Sequence, residues 1–233
     1  MAKLEQFQIK YLQDREFLKK YLQHLNDRLI YSNNRLDSNI AHDNAHKETL
    51  SDNYEALTIL FNKLYTKEEK PLTESLIKEV ANTINKHAMY ISDNYRKLGE
   101  GIKFKDKYPI TSPQNIEKEM KELLYKYYNE WNNLDIFERE ALFNIEFLRI
   151  HPFEDGNGRT SRLILTFNML SQGHAPILIP ESTREEYFDA RNEENVLWIK
   201  NLFEQESQNE LDKLNILIEN YEIEKNTNNH KKR

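Results

Sequence analysis

The run from His151 to Arg162 combines an imidazole, acidic side chains, glycines and arginines within a few residues of one another. It reads His-Pro-Phe-Glu-Asp-Gly-Asn-Gly-Arg-Thr-Ser-Arg. An unperturbed histidine has a pKa of about 6.5, so His151 can accept a proton near neutral pH and is the natural general base. Pro152 favours an extended backbone at the residue before it, so we expect His151 to lie extended where one segment ends and a turn begins.

Two glycines flank Asn157 and indicate a turn that can bind an anion. Gly156 and Gly158 tolerate positive φ, which lets neighbouring backbone N–H groups point together at an anion. The apolar stretch 163–170 has no helix breaker before Gly173, so the turn should lead into a helix N-terminus. The free N–H groups and the positive end of the helix dipole then face the turn.

The charged side chains around this turn predict that the anion is a polyphosphate with a bound metal ion. Arg159 and Arg162 lie three residues apart and therefore share a helix face, and each guanidinium offers a planar fork of donors to phosphate oxygens. Two arginines imply more than one phosphate. Asp155 places a carboxylate beside the same anion, which is favourable when a cation lies between them, and a hard, oxygen-bound ion such as Mg²⁺ fits.

The complete run resembles the signature of the Fic family, His-Pro-Phe-x-(Asp/Glu)-Gly-Asn-Gly-Arg-x-x-Arg, and matches it at every specified position. The resemblance implies an all-α fold with a short β-hairpin flap near the active site. It also implies a protein adenylyltransferase, which transfers AMP from ATP to a serine, threonine or tyrosine hydroxyl of a target protein. Diphosphate is released, and Mg²⁺ is the cofactor.

The resemblance implies a role for each residue that matches the signature. His151 would be the base that accepts the proton of the target hydroxyl, and Asp155 would be the Mg²⁺ ligand. The turn at 156–158 would bind the α- and β-phosphates. Arg159 and Arg162 would bind the β- and γ-phosphates.

Two aromatic residues also receive roles from the resemblance. Phe153 would be a buried anchor. Tyr187 falls where family members often carry an aromatic residue near the adenine base, so it could stack on the nucleotide. A place in the hydrophobic core explains Tyr187 equally well.

Other interpretations of the signature stay open. Taken singly, a His-Pro pair, a Gly-Asn-Gly turn or an arginine pair would indicate only a turn or a solvated helix face, and the combination favours an active site. The same site could transfer another phosphate-linked group, such as UMP or phosphocholine. It could also be a non-catalytic module that binds a nucleotide or phosphate through residues 156–162.

A second resemblance concerns regulation. Many Fic proteins carry an inhibitory helix with the motif (Ser/Thr)-x-x-x-Glu-(Gly/Asn), whose glutamate pairs with the second signature arginine, here Arg162. The segment 33–39 resembles an N-terminal version but departs from it at three positions, with Asn33 for Ser/Thr, Asp37 for Glu and Ser38 for Gly. Aspartate is one methylene shorter than glutamate, so inhibition could be weak or absent. The same difference disfavours an enzyme that removes AMP from its targets. A polar turn between helices, with no inhibitory role, explains the segment equally well. Segment 215–220 is a C-terminal rival.

Composition favours an intracellular enzyme of modest size. The chain has 233 residues, of which 38% are hydrophobic, enough to bury a core. It contains no cysteine, which excludes disulfides and cysteine nucleophiles. The net charge of −6 disfavours nucleic-acid binding. The sequence has no apolar stretch of about 20 residues, so we expect no membrane span. We also expect a cytoplasmic location.

Helical periodicity dominates the remaining sequence. Apolar residues at i, i+3/i+4 spacing predict helices over 17–29, 47–65, 71–89, 116–131, 136–150, 182–191 and 196–221. A polar run at 31–39 should interrupt the first, and the polar tail at 225–233 should fray. The stretch 98–113 breaks the pattern and predicts a loop or a hairpin. The resemblance makes 97–104 the candidate flap.

These elements divide the chain into three predicted segments. Residues 1–50 form an N-terminal helical region with the degenerate inhibitory element, 51–192 the Fic core, and 193–233 a C-terminal helix and tail. The expected partners are ATP and a target protein that carries a hydroxyl side chain. Exposed faces of the long helices could pair two subunits into a homodimer, although core packing explains their amphipathicity equally well.

Overall fold

The computed structural model describes residues 3–36, 43–64, 71–87, 95–97 and 110–231, and this part of the chain is built from α-helices. The helices are α1 (Gln6–Gln13), α2 (Arg15–Leu36), α3 (Asp43–Leu64), α4 (Glu74–Ile84), α5 (Ile116–Tyr125), α6 (Ile136–Ile150), α7 (Asn157–Ser171), α8 (Arg184–Asn192) and α9 (Val196–Lys231). A π-helical turn at Lys126–Glu130 extends α5. The all-α prediction is confirmed for these residues.

Extended backbone is scarce in the described ranges. Its one pairing there is an isolated antiparallel bridge between Lys3 and His174. The predicted flap lies almost entirely outside the described residues, because only Lys97 of the stretch 97–104 is described. No helix of the described part is long and apolar enough to cross a membrane.

Helices α6 and α7 lie at the centre of the fold. α6 packs against α5, α7 and α9, and α7 also packs against α3 and α4. Every residue of α7 from Thr160 to Met169 is buried. A helix surrounded on all sides by protein is held rigidly, so the segment that begins α7 rests on a fixed support.

The hydrophobic core consists of two clusters. The larger cluster joins α1 to α7 with α9, and its aromatic members include Phe17, Phe143 and Phe147. The smaller cluster joins α6, α7, α8 and α9 around Phe137 and Phe203. The terminal segments predicted at 1–50 and 193–233 therefore contribute side chains to the same packing as the central residues.

The interruption predicted at 31–39 is wrong for residues 31–36, because α2 continues to Leu36, and residues 37–39 lie outside the described residues. Ser32 is buried and its hydroxyl donates a hydrogen bond to the carbonyl of Ile179 at 2.6 Å. Leu36 is fully buried in the smaller cluster. Tertiary contacts on one face thus stabilise a helical stretch whose composition is typical of a turn.

The C-terminal helix is longer than predicted, because α9 runs to Lys231 rather than ending at Tyr221. The residues that follow Tyr221 include glutamate and lysine, which have good helix propensity. The Nζ atom of Lys225 lies 4.9 Å from the ring centroid of Tyr221 and 3.8 Å from Oδ2 of Asp14. These contacts support the first turn beyond the predicted end.

Candidate active site

His151 lies at the C-terminal end of α6, as predicted. Asp135 caps the N-terminus of this helix by accepting hydrogen bonds from the N–H groups of Phe137 and Glu138 at 3.1 and 3.4 Å. His151 itself is the C-cap, and its N–H donates to the carbonyl of Phe147 at 3.0 Å. The histidine is therefore mounted on a rigid helix.

The backbone of His151 differs from the extended conformation that Pro152 predicts. Its φ of 51° and ψ of 60° place it in the left-handed region. A left-handed C-cap is a common way to end a helix, although glycine is the usual residue. Here the buried side chain of Arg96 binds the carbonyl groups at this helix end, and these bonds offset the preference of the residue before proline.

The environment of His151 keeps its imidazole neutral. Burial is the largest cause and the nearby positive charge of Arg96 the next, and they lower the pKa of His151 from its ordinary value of 6.5 to about 4. Arg191 acts in the same direction, and Asp155 opposes it. A histidine with this pKa is deprotonated at pH 7 and can accept a proton.

Asn157 holds the loop between the two helices in shape. Its Oδ1 accepts the N–H of Phe153 at 2.9 Å, and its Nδ2 donates to the carbonyl of Phe153 at 2.7 Å. Phe153 is 5% exposed, as expected of a buried anchor, and its ring packs near Tyr95 and Phe147. The side chain of Asn157 therefore holds the loop in shape, and contacts with a ligand at this turn fall to its backbone N–H groups.

The turn predicted at 156–158 begins at Gly156, which is the N-cap of α7 and has a φ of 76°. A Cβ atom at this position would lie 2.6 Å from Nδ2 of Asn85. Gly158 differs from the prediction, because it lies within the first turn of α7 and is not among the positive-φ residues. One left-handed glycine therefore suffices to expose the helix N-terminus.

Asp155 and Arg159 lie at the open edge of the turn. Oδ1 of Asp155 accepts the N–H of Gly156 at 2.6 Å, and Oδ2 lies 3.3 Å from Nη2 of Arg159. The Asp155 side chain is 68% exposed, so a ligand can reach it. Arg162 is 3% exposed and is buried in α7, so the two arginines differ in access although both follow the same turn.

The donor set at Asp155 fits Mg²⁺ held mainly by a bound ligand. No group of three or more His, Cys, Asp or Glu side chains forms a metal cage in the described ranges. One accessible carboxylate beside an anion-binding turn matches the usual protein contribution to Mg²⁺–nucleotide sites, in which phosphate oxygens and water complete the coordination.

Tyr187 lies in the core rather than at the surface of the site. It is 1% exposed, and its hydroxyl donates to Oδ1 of Asn144 at 2.6 Å. Nδ2 of Asn144 in turn donates to the hydroxyl of Ser161 at 2.8 Å. A ring enclosed in this way has no free face for an adenine base, so the structure favours the core alternative for Tyr187.

The regulatory residue Asp37 lies outside the described residues, and inhibition by the segment 33–39 stays a prediction. The C-terminal rival is described. Oδ1 of Asn215 accepts a hydrogen bond from Gln8 of α1 at 3.0 Å, while Glu219 is exposed. Neither observation decides between the two segments.

Sequence reasoning missed two residues that contact the signature. Arg96 binds the carbonyls at the end of α6, and Asn85 binds the backbone of Asp155 and the side chain of Arg159. Both precede the signature by a long stretch of chain. The residues around Asn85 and Arg96 in the sequence form no pattern that predicts contacts with the signature.

The described part of the chain is all-α, with a histidine at the end of α6 and a left-handed glycine at the N-terminus of α7. Residues 71–169 match the model of the Fic/DOC family. This part of the chain, less than half of its length, is therefore similar to a Fic/DOC domain.

Curated relatives agree with this assignment. The chain is 35% identical over 83 residues to protein adenylyltransferase fic-1 of Caenorhabditis elegans, and 36% identical over 72 residues to protein adenylyltransferase Fic of Drosophila grimshawi. These matches cover 33% and 28% of this chain. Each spans only 15% of the relative's own length.

Solved structures share the fold. A Fic domain containing signaling protein from Bacteroides thetaiotaomicron superimposes with a TM-score of 0.73 at 22% identity, covering 89% of this chain and 93% of that one. Fic-1 of C. elegans (residues 134 to 508) gives a TM-score of 0.68 at 20% identity, covering 89% of this chain and 67% of that one. At these identities the similarity establishes the fold alone.

Proposed function

We propose that this protein is an adenylyltransferase that moves AMP from ATP to a hydroxyl side chain of a target protein. The observation that supports this most directly is the neutral, partly buried His151, placed just before the loop that leads to the left-handed turn at Gly156. The adenylyltransferase names of the relatives supply the identity of the transferred group.

The reaction follows from the chemistry of these residues. The target hydroxyl attacks the α-phosphorus of ATP while His151 accepts the hydroxyl proton. A new oxygen–phosphorus bond forms, the bond from the α-phosphorus to the oxygen that bridges to the β-phosphate breaks, and diphosphate leaves. Backbone N–H groups at the start of α7 and the guanidinium of Arg159 stabilise negative charge on the departing diphosphate.

Asp155 would hold Mg²⁺ together with phosphate oxygens of ATP. The ion, when bound, would offset phosphate charge and favour departure of diphosphate. We assign Arg162 to the γ-phosphate on the signature alone. Its burial means that a ligand must reach it from within the turn.

The proposal is tested with purified protein, Mg²⁺, α-labelled ATP and a lysate that supplies targets. We expect protein-bound label with the unaltered protein and none with His151→Ala, while His151→Ala still binds ATP in calorimetry. Label from UTP or CDP-choline in preference to ATP would instead identify transfer of UMP or phosphocholine. Equal ATP binding by both proteins with no label from any donor would support a non-catalytic binding module.

Regulation by the N-terminal segment is tested in the same assay with Asp37→Gly. If Asp37 restrains the enzyme through Arg162, the variant incorporates more label than the unaltered protein. Equal labelling would exclude an inhibitory role for Asp37, and Glu219→Gly would then test the C-terminal rival.

A further inference from the structure

The side chain and the backbone of Arg96 both donate hydrogen bonds to the end of α6, which carries His151. The backbone N–H of Arg96 donates to the carbonyl of Pro152 at 2.9 Å, and its Nε donates to the carbonyl of His151 at 2.6 Å. Nη2 donates to the carbonyl of Ile150 at 3.4 Å and also to that of Thr111. Arg96 is 4% exposed, so these bonds form in a water-poor environment.

These bonds act on carbonyl groups that the helix itself leaves unpaired. The last carbonyls of an α-helix have no partner within the helix, and Ile150 and His151 stand at this end of α6. A left-handed backbone is strained for a residue other than glycine. Charge-assisted hydrogen bonds from a buried guanidinium are stronger than neutral ones, so Arg96 can hold His151 in this conformation.

A different residue holds the nucleotide side of the signature. Nδ2 of Asn85 donates to the carbonyl of Asp155 at 3.1 Å, and Oδ1 of Asn85 accepts from Arg159 at 2.9 Å. In the part of the chain that the structure describes, Arg96 donates to the carbonyls of Ile150, His151 and Pro152, all of which precede the turn that begins at Gly156. The base and the anion-binding turn are thus supported separately.

We propose that Arg96 is a positioning residue, which fixes the backbone of His151 so that the imidazole meets the target hydroxyl, and which leaves ATP binding to other residues. This inference rests on the proposed adenylyltransferase reaction. The planar fork of arginine is needed because one side chain must reach several carbonyls, which a single lysine ammonium does not reproduce.

The test compares Arg96→Met and Arg96→Lys with a matched control, Arg149→Met. Arg149 also lies beside Thr111, but its side chain pairs with Glu119 and Glu146. We expect Arg96→Met to lower kcat by about 100-fold with an unchanged KM for ATP, because small displacements of a catalytic group have effects of this size. Arg96→Lys should recover part of the loss, and Arg149→Met should keep kcat.

A second readout is the pKa of the His151 imidazole, measured by NMR titration. The charged groups that act on His151 are Arg96, Arg191 and Asp155. Removing the charge in Arg96→Met should raise the pKa from about 4, while Arg96→Lys and Arg149→Met should leave it low. A role limited to folding would leave kcat of the folded protein unchanged in Arg96→Met, whatever the pKa does.

Each outcome decides the inference. Arg96→Met that is folded by circular dichroism and retains the kcat of the unaltered protein would overturn it, and so would a loss confined to KM. If Arg96→Met does not fold, kcat and KM of Arg96→Lys decide the inference. Lysine keeps the positive charge and a long aliphatic chain but lacks the planar guanidinium fork. Absence of AMP transfer by the unaltered protein would refute the proposed function, whereas the titration and the backbone conformation of His151 would still test Arg96.

Discussion

The guanidinium of Arg159 donates to Oδ1 of Asn85 at 2.9 Å, which links the first turn of α7 to the C-terminal end of α4. Arg159 also approaches the carbonyl of Ile84 at 3.4 Å. The same Asn85 donates to the carbonyl of Asp155 at 3.1 Å. One amide therefore fixes both a residue proposed to bind phosphate and the loop that carries the proposed Mg²⁺ ligand.

Asn85→Ala should weaken ATP binding without a comparable effect on the chemical step. A hydrogen bond to a charged group is worth about 1.5–3 kcal/mol, so we expect the KM for ATP to rise about tenfold or more. kcat should fall less than KM rises, because Arg159 remains present to stabilise the departing diphosphate and Arg96, not Asn85, binds the end of α6. Steady-state kinetics at varied ATP measure both constants. A fall in kcat with KM unchanged would show that Asn85 supports the base instead.

Gly156→Ala should damage the turn for two separate reasons. The φ of 76° is unfavourable for alanine by about 1–2 kcal/mol, and the new Cβ would lie 2.6 Å from Nδ2 of Asn85. We expect weaker ATP binding by calorimetry and a lower melting temperature. In an Asn85→Ala background the collision is absent and the φ strain remains, so Gly156→Ala should lower the melting temperature there by less than it does in the unaltered protein. No drop at all in the Asn85→Ala background would show that the collision alone matters.

His151 should make stability depend on pH in mildly acidic solution. Its pKa is about 4 in the folded protein against about 6.5 in the unfolded chain, so between these values the unfolded state binds more protons. The stability from this group is present above pH 6.5 and is lost as the pH falls to about 4. Urea unfolding of His151→Asn should show a weaker fall in stability over this range. An unchanged slope would contradict a neutral, buried imidazole.

Glu140 should give the opposite pH dependence. It is fully buried, and burial raises its pKa to about 7, although hydrogen bonds from Tyr127 and Asn168 at 2.7 and 2.8 Å oppose the rise. The folded state then holds the proton to higher pH than the unfolded chain. Stability from this group is present below the ordinary glutamate pKa and is lost as the pH rises through about 7. Glu140→Gln should flatten this loss in urea unfolding, whereas the exposed-site control Glu219→Gln should not.

Local sequence patterns predicted the elements that depend on neighbouring residues. The periodic apolar residues of 136–150 gave the bounds of α6, and the glycine at 156 marked the left-handed turn before α7. In both places the signal that specifies the backbone, apolar spacing or a glycine, lies close together in sequence, although Asn85 supports the turn from a distance. The periodicity and the turn chemistry are therefore visible in a short window.

Features that depend on distant residues could not be predicted in this way. The continuation of α2 to Leu36 relies on the bond from Ser32 to Ile179, and the left-handed backbone of His151 relies on Arg96. Tyr187 is enclosed because its hydroxyl meets Asn144 of α6. In each case the deciding contact spans a long stretch of chain. Local propensity favoured the other outcome for α2 and for His151, and it left both alternatives open for Tyr187.

The most direct test of the proposed function follows both ends of ATP in one reaction. Purified protein, Mg²⁺ and a responsive target are incubated with ATP labelled at the α-phosphate or at the γ-phosphate, beside His151→Ala. We predict that the target retains the α-label and not the γ-label, that diphosphate appears in equal amount, and that His151→Ala does neither. Retention of the γ-label, or α-labelling that persists in His151→Ala, would contradict AMP transfer with His151 as the base.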